Sequence, residues 1–252
     1  MKKILITLTI IILTSCKSYI ANEYFKSVGV YDNKIKLEKL TYNDSEIIFF
    51  GMHHIGKNEF YDDVKKKTDS LLKEDYIFYI EGISSQFADK KNLTKEDSIA
   101  LIEISYKFRK ILGKPLVAKN MESDYIKLFK EKGIKIKENL IKQPSYLQFG
   151  LSQKNAIITD LTVEKILENY EKKYGKVVLD SCDYDTKFYE ESTCPRKSQK
   201  KFFDELIIQD RNNNIISHIL KEKKTKIAII YGKAHFIGIK DSLQKLGYKI
   251  AL

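Results

Sequence analysis

Residues 46–56 read EIIFFGMHHIG, and residues 226–238 read KIAIIYGKAHFIG. Each is an unbroken apolar run ending in Gly-x-x-His, with a second glycine close behind. A continuous apolar run of this length, rich in Ile and Phe, is what a strand covered on both faces requires. The stretch after each run has the spacing of a helix. After the first, Phe60, Val64, Leu71 and Leu72 fall on one face of a segment running from Asn58 to about Lys73. Residues 76–80 (YIFYI) then form a second buried run, ending at Glu81-Gly82. Working outward, Ile35–Tyr42 alternates apolar and charged residues, as an edge strand does. Thr94 and Asp97 form a capping box for a helix ending at Gly113, and Pro115–Ala118 opens a third strand followed by Glu122 and a helix over 123–132. Asp160 or Thr162 caps a helix to about Tyr174, 199–221 is a long amphipathic helix, and 239–246 and 248–252 are a last helix and strand. Residues 133–159 have no clear pattern. Buried strands alternating with helices predict one α/β domain with a mainly parallel sheet.

In such sheets ligands bind outside the carboxyl ends of the strands. His53 and His54, Glu81, Glu122 and His235 all stand at such ends. Two imidazoles and two carboxylates on one rim suit a divalent metal or an acid–base set. Gly51 and Gly232 let the backbone turn and approach a ligand closely. Any one of these histidines alone reads as a hydrogen-bonded turn residue; the repeated pattern is what singles them out. In the long helix, Phe203, Ile207, Ile215 and Ile219 recur every four residues, with Arg211 in the middle of the seam. A guanidinium on an apolar stripe needs a partner, because an unpaired buried charge costs several kcal/mol. Arg211 therefore lines the site, makes a structural ion pair with Glu122 or Glu81, or snorkels to solvent. His218, seven residues on, is a secondary candidate that reads equally as a core or surface histidine.

The chain has 252 residues, enough for one full core, and a formal net charge of +11. Only three of its 45 basic residues are arginine, Arg109, Arg196 and Arg211. Readers of bases and phosphates favour the bidentate arginine fork, so the lysines read as a solvated surface and no nucleic-acid partner is expected. Residues 1–16, MKKILITLTIIILTSC, have a positive start, an apolar run too short to cross a bilayer, and a cysteine at its end. They resemble a lipoprotein signal peptide (1–15) cut before a lipid-bearing Cys16; an ordinary signal peptide with an incidental cysteine is the alternative. Residues 16–33 then read as a tether without clear period, and 34–252 as the folded domain, exported and membrane-anchored on the periplasmic or the outer-membrane or cell-surface side. Export leaves Cys182 and Cys194, which outside the cytoplasm are expected to pair rather than to supply a catalytic thiol. The sequence lacks His-Glu-x-x-His, Gly-x-Ser-x-Gly, a P-loop and Gly-x-Gly-x-x-Gly.

FFGMHHIGKNEFYDDVKKKTDSLL with YIFYIEG, then KPLVAKNMES, DRNNNIISHI and IAIIYGKAHFIGIKDSLQKLGYKI, resembles the TraB/GumN/TIKI family, within the broader group of erythromycin esterases and haem-binding ChaN lipoproteins. The resemblance runs in order through most of residues 46–252, with no counterpart for 133–200 and with Met52-His53 where a threonine is common. It implies an α/β fold of two related halves around one cleft, and carries over His54, Glu81, Glu122, Arg211 and His235. It also implies, for some members, metal-dependent peptide cleavage. The expected activity is a lipid-anchored hydrolase of a peptide, amide or ester. His54, Glu81 and His235 would hold Mn, Co or Zn or position water, Glu122 would be a further ligand or base, and Arg211 would anchor a substrate carboxylate or orient a glutamate. A metal-free form with His54 as base uses the same residues. The alternative from another class is a non-enzymatic lipoprotein holding haem or a metal in the same cleft.

Overall fold

The computed structural model describes residues 17–87, 90, 92–113, 115, 125–190, 192–194 and 202–251. The expected signal peptide, Cys16, residues 116–118 of the expected third strand and Glu122 lie outside the described residues.

The first described element is helix α1, over 17–28. Strand β1 (Leu37–Tyr42) turns at Asn43 into β2 (Ser45–Met52), and short β3 (Ile55–Gly56) leads into α2 (Asn58–Lys73) and β4 (Ile77–Ile80). Next come α3 (Lys95–Leu112), α4 (Tyr125–Glu131), β5 (Ile141–Lys142), a 3-10 turn at Tyr146–Phe149, β6 (Ala156–Ile158) and α5 (Val163–Tyr174). A wide-turned π-helical segment, Phe203–Gln209, runs into α6 (Asp210–Glu222). Strand β7 (Lys226–Gly232), α7 (Phe236–Lys245) and β8 (Lys249–Ile250) close the chain. The fold is mixed α/β, as the alternation of runs predicts.

The six-stranded sheet has the order β6-β4-β7-β2-β1-β8. Strands β6, β4, β7 and β2 are parallel to their neighbours, while β1 and β8 add antiparallel edges. Strand β7 lies between β2 and β4, pairing Phe50 with Ile230 on one side and Ile80 with Ile230 on the other. Their carboxyl ends are therefore level. Alternate side chains enter two apolar layers. Phe50, Phe78, Ala228 and Ile230 meet Phe60, Val64 and Leu71 of α2, whereas Phe49, Tyr79, Ile229 and Tyr231 meet Ile215 and Ile219 of α6 and Ile239 and Leu243 of α7. Covering on both faces is why β2 and β7 read as continuous apolar runs. The connection from β2 to β4 uses one face and the helices around β7 use the other.

The capping box of Thr94 and Asp97 and the left-handed C-cap at Gly113 bound α3, and Thr162 caps α5. Asp160 makes no cap; it serves Arg211. The four-residue seam of the long helix also has a structural cause. On an α-helix each step of four overshoots by roughly 40°. The wider turns of Phe203–Gln209 turn the seam the other way, so Ile207, Arg211 and Ile215 stay inward.

Residues 17–28, which showed no period in the sequence, are a helix in which Asn22 is buried and Phe25 and Val28 pack on the cluster of Val30, Ile55 and Leu140. Asn22 donates to the carbonyl of Lys135 at 2.7 Å and accepts from the amide of Lys137 at 2.8 Å. The expected disulfide joins Cys182 to Cys194.

Candidate active site

Glu81 is the first residue beyond β4. Its backbone amide donates to Ile230 at 3.1 Å, which extends the β4–β7 pairing to the rim and turns the side chain over the end of β7. One carboxylate oxygen, Oε2, accepts from the amide of Gly232 at 2.6 Å. The other, Oε1, accepts from Arg211 Nη2 at 2.7 Å. A Cβ on Gly232 would come within 3.2 Å of Oε2, so the glycine of the second Gly-x-x-His gives the glutamate its close approach to the backbone.

Arg211 is 3% exposed. Its Nε and Nη2 bind both oxygens of Asp160 at 2.6 Å, and Nη1 donates to Ile207 O at 3.1 Å. Asp160, the second residue past β6, also accepts from the amides of Gly82 and Leu161 at 2.9 and 2.8 Å. Burial alone would push the guanidinium pKa down; the hydrogen bonds of Asp160 and the charge of Glu81 outweigh it and move it up. Arg211 is thus a fixed cation between two carboxylates, a bidentate arrangement that a lysine could not reproduce.

His235, 3% exposed, stands behind Glu81. Its Nδ1 lies 2.7 Å from Asn212 Oδ1, while Asn212 Nδ2 donates to the His235 carbonyl at 3.4 Å. The two contacts orient the amide, so Nδ1 carries the proton and Nε2 is left with its lone pair. Nε2 lies 3.7 Å from Glu81 Oε1. Burial and the nearby Arg211 cation lower the imidazole pKa against the opposing pull of Glu81 and Asp160. Gly238, the glycine following this motif, has a use the sequence did not disclose. A Cβ there would overlap Asn212 Nδ2. Behind the cluster, Asn214 Nδ2 donates to Thr159 O at 2.9 Å, and the hydroxyls of Thr159 and Tyr231 lie 3.3 Å apart. The Tyr146 phenol, half-buried in the segment over the rim, is pushed up by burial and then by the charges of Glu81 and Asp160.

Of the residues predicted from sequence, Glu81, Arg211, His235, Gly232 and the partner role of Glu81 come together here. His54 stands at the end of neighbouring β2 and is exposed; its ring stacks on Tyr125 at 6.0 Å, and its carbonyl accepts from Gln143. His53 turns into a cleft lined by Asp32, Gly51, Phe60 and Lys233. Burial, and then the Lys233 cation, hold its pKa down at about 4. His218 lies edge-on to Tyr79 against the sheet, with Nδ1 3.7 Å from Glu222, and is not brought to the cluster. Asp160 and Asn212 escaped the sequence reading. Asp160 sits beyond a strand of three residues, and Asn212 is one of three consecutive asparagines.

Among the described residues, which do not include Glu122, the donors at this site do not complete a metal centre. His235 Nε2 and Glu81 Oε1 share one corner, but catalytic zinc takes three protein ligands. Among the described residues, the only group of three or more His, Cys, Asp or Glu with ligand atoms within 4.8 Å of one another is Asp180, Cys182 and Cys194, whose cysteines are disulfide-bonded. Glu81 Oε1 accepts from Arg211 and Oε2 from Gly232, which leaves each oxygen a further lone pair.

Compared with protein-family models, with curated proteins and with solved structures, the chain matches none of them.

Proposed function

We propose that this chain is a lipid-anchored hydrolase acting outside the cytoplasm on a peptide or related amide or ester, with His235 as general base. The observation that carries the reading is the proton-fixed imidazole: Nδ1 is tied to Asn212, and Nε2 is basic and 3.7 Å from Glu81. In the proposed reaction Nε2 takes a proton from water as its oxygen attacks the substrate carbonyl carbon. Glu81 stabilises the imidazolium so formed. Collapse of the tetrahedral intermediate breaks the C–N or C–O bond, and the proton passes from His235 to the departing nitrogen or oxygen. Arg211 and Asp160 hold Glu81 in register. His54, at the level end of β2, is assigned to the substrate side of the same rim.

The expected fold of two related halves belongs to this reading, supported by the two adjacent parallel units that each run strand, Gly-x-x-His, helix. The metal-dependent form needs His54 or Glu122 to join His235 and Glu81.

The test is turnover of peptide, arylamide and ester libraries by the full chain, with and without chelator and with Mn, Co or Zn returned. Metal-independent turnover lost in His235→Ala supports the base reading. Turnover that dies with chelator and returns with one ion moves His235 and Glu81 to ligand roles. A Soret band on haemin addition, without turnover of any library, replaces the hydrolase with a binding protein.

A further inference from the structure

Helix α1 has two unlike faces. Its inner face is held by Asn22 and by Ser18, whose Oγ accepts from the Lys135 amide at 3.0 Å, and Phe25 meets Phe129 edge-on at 5.3 Å. Its outer face carries Tyr19, Ile20 and Tyr24, exposed at 62%, 66% and 61%. Single exposed apolar residues are ordinary, but three large ones within two turns of one helix form a patch. Lys17 and Lys26 are exposed on the same helix, and Lys135 and Lys137 are exposed on the segment hydrogen-bonded to it. Glu23 is the helix's sole carboxylate.

Aromatic rings with a polar tip, one aliphatic residue and surrounding lysines are the make-up of a helix lying in a lipid interface. Cys16, the proposed lipid site, immediately precedes Lys17, so no slack separates an anchored cysteine from this helix. We propose that α1 docks flat on an anionic bilayer surface, with Tyr19, Ile20 and Tyr24 at head-group depth and the lysines over the phosphates. The inference rests on the lipid-anchor reading and goes beyond it: it makes the anchor segment a rigid seat instead of a leash. That seat also fixes the height of the rim. Phe25 and Phe129 share an apolar cluster with Tyr125, on which His54 stacks.

The chain contains no tryptophan, so one introduced indole reports alone. Full-length protein carrying Tyr19→Trp, Tyr24→Trp or, as control at the opposite end of the sheet, Tyr42→Trp is reconstituted into phosphatidylcholine–phosphatidylglycerol vesicles containing brominated acyl chains. Docking is supported if emission from the first two shifts to the blue and is quenched by the lipid bromine, while the control stays accessible to aqueous iodide. Vesicle-bound protein in which all three indoles remain equally open to iodide overturns it. So does a blue shift that appears at rising protein concentration without vesicles, which would mean a second copy covers the face. The mass of the mature protein judges the anchor separately. If Cys16 carries no lipid, that reading fails, and docking stands or falls on the same quenching after the protein is added to the vesicles.

Discussion

Asn212 Oδ1 accepts a hydrogen bond from His235 Nδ1 at 2.7 Å, and the same amide returns a bond to the His235 carbonyl. The pair fixes both the orientation of the ring and the nitrogen that holds its proton. Asn212→Asp keeps the shape but presents an anion to Nδ1, which favours imidazolium. The acidic limb of the pH–rate profile should move to higher pH, from a wild-type position expected below the ordinary histidine value because burial and Arg211 lower the pKa. Asn212→Ala should cut kcat by about 10- to 100-fold. An unchanged profile in the aspartate variant would remove His235 from the role of base.

Gly238 tests the same contact from behind. It lies in α7, where alanine is ordinarily better than glycine by about 1 kcal/mol. Its missing Cβ is where the Asn212 amide sits. Gly238→Ala should therefore lower activity without a matching loss of helix, and its effect should not add to that of Asn212→Ala. Additive losses would mean that the two positions act separately.

Arg211 between Glu81 and Asp160 is a paired buried charge, and breaking such a pair costs about 3–5 kcal/mol. Arg211→Ala should lose that much in urea unfolding, and Arg211→Lys should recover only part of it because a point charge cannot span both oxygens of Asp160. Asp160→Asn is expected to destabilise more than Glu81→Gln, since Asp160 accepts four hydrogen bonds and is fully enclosed. The reverse order would make Glu81 the structural member of the pair.

His53 predicts a pH dependence of stability unrelated to turnover. Its pKa is about 4 in the folded chain, held down by burial and then by Lys233, against roughly 6.5 unfolded. Between those values the unfolded chain binds the extra proton, so stability rises with pH and is lost as pH falls from about 6.5 toward 4. The loss should be on the order of 1–2 kcal/mol after allowance for solvent screening. His53→Gln should flatten the unfolding midpoint across that window. A variant with the wild-type slope would assign the acid sensitivity to another group.

The strands that carry Glu81 and His235 were legible because each is buried on both faces and hence apolar throughout. Arg211 was legible as a charge out of place on a seam. Asp160 and Asn212 were not. Asp160 follows a strand too short for any period, and its acidic type before a helix reads as a cap; only the fold shows that Thr162 takes that duty. Asn212 is distinguished from Asn213 and Asn214 by which face of α6 it lies on, a matter of some 100° per residue that a run of identical residues conceals. Helix α1 was illegible for a related reason. On its inner face Phe25 and Val28 are accompanied by Ser18 and the buried amide of Asn22, so the apolar positions alone are too few to show a period.

The loop 180–194 is held in two independent ways, and separating them gives the last prediction. Arg109, fully buried in α3, donates from Nη1 to Thr186 Oγ1 and to the carbonyls of Lys187 and Glu190 at 2.7–2.8 Å, and from Nη2 to the carbonyl of Asp183 at 2.5 Å. The Cys182–Cys194 bond, with a sequence separation of 12, closes the same segment. A cross-link of that span limits the unfolded chain by about 3 kcal/mol, whatever contacts the native loop makes. Arg109 acts on the native state, because its charge is buried and the loop carbonyls are its acceptors. Cys182→Ser/Cys194→Ser should therefore lower the unfolding midpoint while leaving the native loop resistant to proteolysis near Tyr184. Arg109→Ala should open the loop to cleavage with the disulfide intact. If reduction alone exposes the loop, the cross-link and not Arg109 holds the native arrangement.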